Sequence, residues 1–239
     1  MRINWNYIKM ILVFGLLIFL YVFASVRSVA RPISKPQVSF VGNNNLFITP
    51  ETVSKLLIQN QRGLTGASKD VLDLNILESA LNSNSTIKDA QVYLTVNGTL
   101  NVDVEQKQPI ARVSTNASYY IDSQGTFMPL SSNYTARVPM VTGYVEKNKL
   151  QTIFKIADKV YNDDFLRKHV VEIHQNQDWT IGLKLRQCPF SVQLGTLNQL
   201  DKKINNLKAF YQKAYKEQTL KTYSKINLQF DNQVVCTKR

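Results

Sequence analysis

"IKDAQVYLTVNGTLNVDVEQ", Ile87 to Gln106, decides how the first half of this chain is read. Apolar and polar residues alternate through both arms, the period of a strand with one buried face. Asn97-Gly98 stands between the arms and is the strongest short hairpin signal in the chain. A hairpin of this kind needs something to cover its apolar face, and the residues before it supply that cover.

"DLNILESALNSN" reads as a short helix, with Asp73 near its start and Leu74, Leu77 and Leu81 on one face. Gly63 and Gly66 mark a loop ahead of it. "ITPETVSKLLIQNQ" carries helix-start grammar: Thr49 as N-cap, Pro50 at the first helical position, Thr52 three residues beyond the cap. Val53, Leu56 and Leu57 form its apolar stripe. "QVSFVGNNN" is a strand with Val38 and Phe40, ended by Gly42-Asn43. From 37 to 107 the expected order is therefore β-α-α-β-β, three strands and two helices around one small α+β core.

Further toward the N-terminus, Met10 to Ala24 reads MILVFGLLIFLYVFA, without a charge. With Trp5, Tyr7 and Ile8 before it and Val26 after it, the run reaches about the 20 residues a spanning helix needs. Trp5 and Tyr7 suit an interfacial aromatic belt, and Lys9 sits where its stem can snorkel. A cleaved signal peptide also fits, because Ser28-Val29-Ala30 resembles a small-x-small cleavage site. The reading carried forward is a transmembrane helix over 5–26, a short cytoplasmic segment 1–4, and a linker 27–36 extended by Pro32 and Pro36. Local charge does not orient the span, since Arg2 and Lys9 precede it and Arg27, Arg31 and Lys35 follow. The short N-terminus before a large domain sets the N-terminus inside.

The chain has 29 Lys and Arg against 17 Asp and Glu, a net charge of +12. That surplus suits anionic partners such as lipid headgroups or an acidic protein. No glycine-rich phosphate loop, zinc spacing or nucleic-acid module accompanies it, which argues against nucleic acid.

From Pro109 the texture changes to short strands: "PIARVS", "SYYIDSQG" and "VPMVTG". A helix is expected from about Leu150 to Tyr161, then a meander of "KHVVEIHQN", "DWTIGLKLR" and "FSVQLG". A longer helix, about Thr196 to Glu217, carries Lys202, Lys203, Lys208, Lys213 and Lys216, read as a solvated face. "SKINLQFDNQVVCTKR", Ser224 to Arg239, closes the pattern as a hairpin whose outer edge has no successor to cover it.

Chemistry does not assemble. His169 and His174 are expected in one strand, five residues apart and so on opposite faces, which prevents a shared metal. No Gly-x-Ser-x-Gly elbow occurs, and Asp163-Asp164 reads as turn chemistry. Cys188 and Cys236 lie in apolar strand contexts and read as small buried hydrophobes, with their pairing left open. No catalytic residue, metal, cofactor or small-molecule substrate is expected.

The layout resembles the FtsQ/DivIB cell-division family: a short N-terminus, one span, a POTRA domain and a β domain. "VSFVGN" with "ITPETV" is similar to that family's POTRA opening, and "STIKDAQV" to the start of its second strand. "QPIA" at Gln108 to Ala111 resembles the junction into its β domain, "YYIDSQGTF" its Ile-Asp-x-x-Gly segment, and "VPMVTG" its Leu-Pro-x-Leu-x-Gly segment. "INLQFDNQVV" resembles the terminal "DLRY" hairpin, although Asn227-Leu228-Gln229 replaces its charged part.

The resemblance implies a POTRA domain over 37–107 and a mixed, β-rich domain with two helices over 108–239, ending in a C-terminal hairpin. It also implies a non-enzymatic scaffold of the divisome in the bacterial plasma membrane, with its large domain periplasmic and its place the division septum. FtsB- and FtsL-type proteins are the implied partners, FtsB adding a strand to the last strand of the β domain. Here that strand covers Gln233, Val234, Val235, Cys236 and Thr237, with Phe230 and Asp231 before it at the turn. Two other readings stand beside this one: a POTRA component of export or outer-membrane assembly, and an exported enzyme with an unrecognised site.

Overall fold

Gly98 N donates to Thr95 O at 3.0 Å and Thr95 N to Thr99 O at 2.9 Å, closing the hairpin between β2 (Ile87–Leu94) and β3 (Leu100–Gln106). Gly98 has φ +88°, whereas Asn97 is not at positive φ. A two-residue type I′ loop would need both there, so the connection is an ordinary turn ending in a left-handed glycine. The computed structural model of the protein describes residues 5–29, 36–42, 45–60, 72–115, 117–230 and 233–239. The expected cytoplasmic segment 1–4, the Gly63–Gly66 loop, Asp231 and most of the linker lie outside these residues.

The chain divides into two compact units, Met1–Gln106 and Lys107–Arg239. The first contains α1 (Trp5–Val29), β1 (Gln37–Val41), α2 (Pro50–Asn60), α3 (Leu74–Asn82), β2 and β3. Its three-stranded sheet has the order β1-β3-β2, with β1 parallel and β2 antiparallel to β3. Thr49 Oγ1 accepts Thr52 N at 3.3 Å, capping α2 with Pro50 at the first helical position. Asp73 Oδ1 accepts the amides of Asn75 and Ile76 at 3.0 and 3.2 Å and starts α3. Val53 and Leu57 of α2 and Leu77 and Leu81 of α3 are fully buried against Leu100, Val102 and Val104. Gln106, also buried, locks the approach to α2: its Oε1 accepts Phe47 N at 3.0 Å and its Nε2 donates to Ile48 O at 3.0 Å.

The expected span forms a 25-residue helix, α1. Its described side chains from Lys9 to Ala24 are exposed. Among the described residues, no helix is long and apolar enough to cross a membrane.

The second unit contains β4 (Pro109–Ser114), β5 (Ser118–Asp122), β6 (Phe127–Met128), β7 (Met140–Gly143), α4 (Gln151–Asn162), α5 (Asp164–His169), β8 (Val170–Gln175), β9 (Ile181–Leu185), β10 (Ser191–Gly195), α6 (Leu200–Lys216), β11 (Tyr223–Asn227) and β12 (Val235–Lys238). The nine strands form one sheet in the order β12-β11-β10-β9-β8-β7-β4-β5-β6. β7 and β8 pair in parallel, as do β10 and β11. Parallel neighbours need a crossover, supplied by α4 and α5 for the first pair and by α6 for the second. Ile153, Ile156, Ala157 and Val160 of α4 and Ile204 and Leu207 of α6 share a buried core with Val141, Ile173, Leu183, Val192 and Ile226.

The resemblance motifs acquire physical roles in this unit. Asp122, 1% exposed, is the hub of the turn after β5. Its Oδ1 accepts the amides of Gln124 and Thr126 at 3.0 and 2.7 Å, and its Oδ2 lies 3.2 Å from Lys107 Nζ. Gly143 has φ +88°, and a Cβ there would sit 2.2 Å from Gln175 O. Gln108 ties the junction down, its Nε2 donating to Tyr161 OH at 2.5 Å.

Four expectations are corrected. His169 and His174 do not share a strand: His169 ends α5, which Asp163 caps through the amides of Phe165 and Leu166, both at 3.1 Å. Asp163 is therefore a helix cap, and β8 begins only at Val170. The long helix begins at Leu200 instead of Thr196, after Gln199 in a left-handed conformation at φ 52°. Its lysine face is not uniformly solvated, because Lys203 is buried and donates to Leu194 O and Thr196 O at 3.1 and 2.7 Å.

Candidate functional site: the β12 edge

Ile226 and Leu228 are buried at 0% and 1%, and they seat β11 and the turn after it in the core. Leu228 N donates to Gln193 O at 2.9 Å, continuing the parallel ladder beyond β11. Asn227 Oδ1 accepts Gln229 N at 2.9 Å, a local turn bond standing where the resemblance placed a charged pair.

β12 then returns antiparallel to β11, with Val235 opposite Asn227, Cys236 opposite Ile226 and Thr237 opposite Lys225. It is the terminal strand of the nine, and among the described residues β11 is its one strand neighbour. An antiparallel strand turns every second residue's N–H and C=O away from its partner, so the far side of β12 carries a row of backbone donors and acceptors.

The expected docking residues distribute as follows. Val234 and Cys236 are half-buried and pack against the core. Val235 is 41% exposed, and Phe230, in the turn, is 49% exposed. Gln233 and Thr237 are exposed. Gln233 and Val234 precede the strand, while Lys238 belongs to it. Lys238, exposed, carries the strand one residue beyond the expected docking stretch.

The strand register also builds a polar surface that sequence reasoning missed. Val141, Ile173, Leu183, Val192 and Ile226 point to the helices, so the residues beside them point the other way. That opposite face carries Thr237, Lys225, Ser191, Lys184 and Glu172 in one row across β12 to β8. Thr142 Oγ1 donates to Glu172 Oε1 at 2.9 Å and lies 2.8 Å from His174 Nδ1. An open groove of about 480 Å³ runs between Glu172, His174, Lys184, Gln193 and Lys225. No periodicity along the chain reveals such a row, because its members come from separate strands.

Both cysteines are free. Cys236 lies level with Ile226 and Val192, two strands from β10, whereas Cys188 is in the turn four residues before Val192. Burial raises the pKa of both thiols.

Residues 108–237 match the family described as FtsQ/DivIB, C-terminal related. This chain belongs to the FtsQ/DivIB family. Residues 42–105 match a POTRA-like domain, consistent with the β-α-α-β-β order of the first unit. The chain is also similar to the cell division protein FtsQ of Geotalea daltonii, 23% identical over 179 residues, which cover 70% of this chain and 64% of that protein. A second relative, the cell division protein FtsQ of Geobacter sp. strain M21, is 23% identical over 185 residues, covering 72% of this chain and 66% of the relative. The chain thus spans just under two-thirds of the length of these FtsQ relatives.

Proposed function

We propose that this FtsQ/DivIB-family chain is a non-catalytic scaffold of the bacterial division machinery, held in the plasma membrane by α1 with its POTRA and β domains outside, at the septum. It binds an FtsB-type partner, together with FtsL, by strand addition to β12. The observation that carries this reading is the position of β12, which among the described residues has one strand neighbour and stands at the end of the sheet. Main-chain groups on that side give affinity, and alternate side chains give specificity. Val235 and Thr237 point to the open face and Cys236 to the core, so an added strand would meet different pockets on its two sides. The anchoring by α1 rests on the uncharged run Met10 to Ala24 and on the helix formed through it. The domain boundaries proposed are 37–107 for POTRA and 108–239 for the β domain.

The test is capture of an FtsB–FtsL pair by the full chain and by Val235→Pro. Proline removes a backbone donor and its ring obstructs the ladder. Loss of capture, with amide protection across β1 to β3 unchanged, is expected. Undiminished capture by the proline variant would sink the proposal.

A further inference from the structure

β2 is an outer strand of the POTRA sheet, and its free side is occupied by side chains of α3. Ala90 N donates to Asn82 Oδ1 at 2.8 Å, and Asn82 Nδ2 donates back to Ala90 O at 3.4 Å. One helical turn earlier, Glu78 Oε2 accepts Val92 N at 3.2 Å. The carboxamide of Asn82 has the donor and acceptor of one peptide unit, set where an incoming strand would place its own.

Ala90 and Val92 are two residues apart and turn their polar groups outward together, as an antiparallel strand requires. They lie in the middle of β2, opposite Val104 and Val102 of β3. A strand arriving on this side must first break three bonds. The opposite end of the other sheet is treated similarly: β6 has two residues, Pro129 follows it, and Lys107 Nζ reaches Phe127 O at 3.5 Å. On β12, by contrast, Ser224 bonds the carbonyls of Thr237 and Lys238 from the inner neighbour β11.

We infer that Asn82 and Glu78 are specificity-determining residues that close β2 against backbone pairing with a second copy of this chain. The second copy is the occupant to exclude because β2 is complementary to itself. Two β2 strands meeting antiparallel, each with Ile87, Ala90 and Val92 turned to its own helices, would continue both apolar faces without interruption in an isologous pair. The closure is a property of α3 and β2 and stands independently of whatever β12 binds.

The experiment uses the full chain in mild detergent and reads amide hydrogen exchange together with sedimentation mass over a range of concentrations. In the unaltered protein, the Ala90 and Val92 amides are expected to be protected to the level of the β3 amides, and the mass is expected to stay constant. Asn82→Ala should speed exchange at Ala90 about tenfold, the loss of one hydrogen bond of about 1.4 kcal/mol, and should produce concentration-dependent dimers. Asn82→Asp, which keeps the acceptor for Ala90 N, should retain most of the protection there. Protection at Val102 and Val104 reports that the variants fold. If Asn82→Ala fails to fold, Glu78→Ala and the exchange of the unaltered protein decide. Free exchange of Ala90 and Val92 in the unaltered protein overturns the inference. So does an opened edge whose owner stays at a single mass.

Discussion

Lys208 of α6 and Asp163, the cap of α5, form an ion pair at 2.5 Å that is half-covered by the domain. Asp163 thereby serves two elements at once. Burial works against its charge, but the Lys208 hydrogen bond and the amides of Leu166 and Phe165 outweigh that cost and lower its pKa below the ordinary 3.8. A lowered carboxylate stabilises the fold fully above its unfolded value, and the contribution is lost as the pH falls through the folded value. Stability of the full chain should therefore decline as the pH drops below about 4. Asp163→Ala should cost about 1–2 kcal/mol at neutral pH and flatten that decline. Denaturant titrations at several pH values measure both.

Asp122 makes a stronger case, because it is almost fully buried. Asp122→Ala removes the acceptor of two amides and leaves the Lys107 ammonium, itself mostly covered, without its carboxylate. Leaving one member of a buried pair costs about 3 kcal/mol. Asp122→Asn, which keeps an acceptor for the amides, should recover part of that loss in the same denaturation experiment.

Gly143→Ala should destabilise the second unit by about 2 kcal/mol or more, through a strained positive φ and a Cβ forced onto Gln175 O. Loss of amide protection in β7 and β8, with β1 to β3 unaffected, is the expected pattern by hydrogen exchange.

Both thiols should be counted as free after unfolding without reductant, and labelling of the folded protein should be slow, since burial disfavours the thiolate at Cys188 and Cys236. A reductant-dependent shift in gel mobility would contradict the free state of both thiols.

The first unit was legible because its grammar is local. Thr49-Pro50, Asp73 and Asn97-Gly98 each announce a boundary within a few residues. The second unit was legible in its strands but not in their order, which is set by pairing across long separations. α5 escaped because six residues show no period, and "KHVVEIHQN" alternates well enough to pull His169 into the strand. The capping role of Asp163, followed by Arg167, Lys168 and His169 at the helix end, was the available clue. The terminal hairpin was legible, and so was its outer strand. The polar row from Thr237 to Glu172 was not, because residues 65 positions apart meet only through the register. The bond from Asn82 to Ala90 left no trace either, since a side chain grasping a backbone has no sequence pattern.

Attachment of β12 runs through β11, and β11 takes its place beside β10 only after α6 has carried the chain across. The rim therefore hangs on two pairings in series, β10 with β11 and β11 with β12, so any loosening of α6 that shifts β11 displaces the border as well.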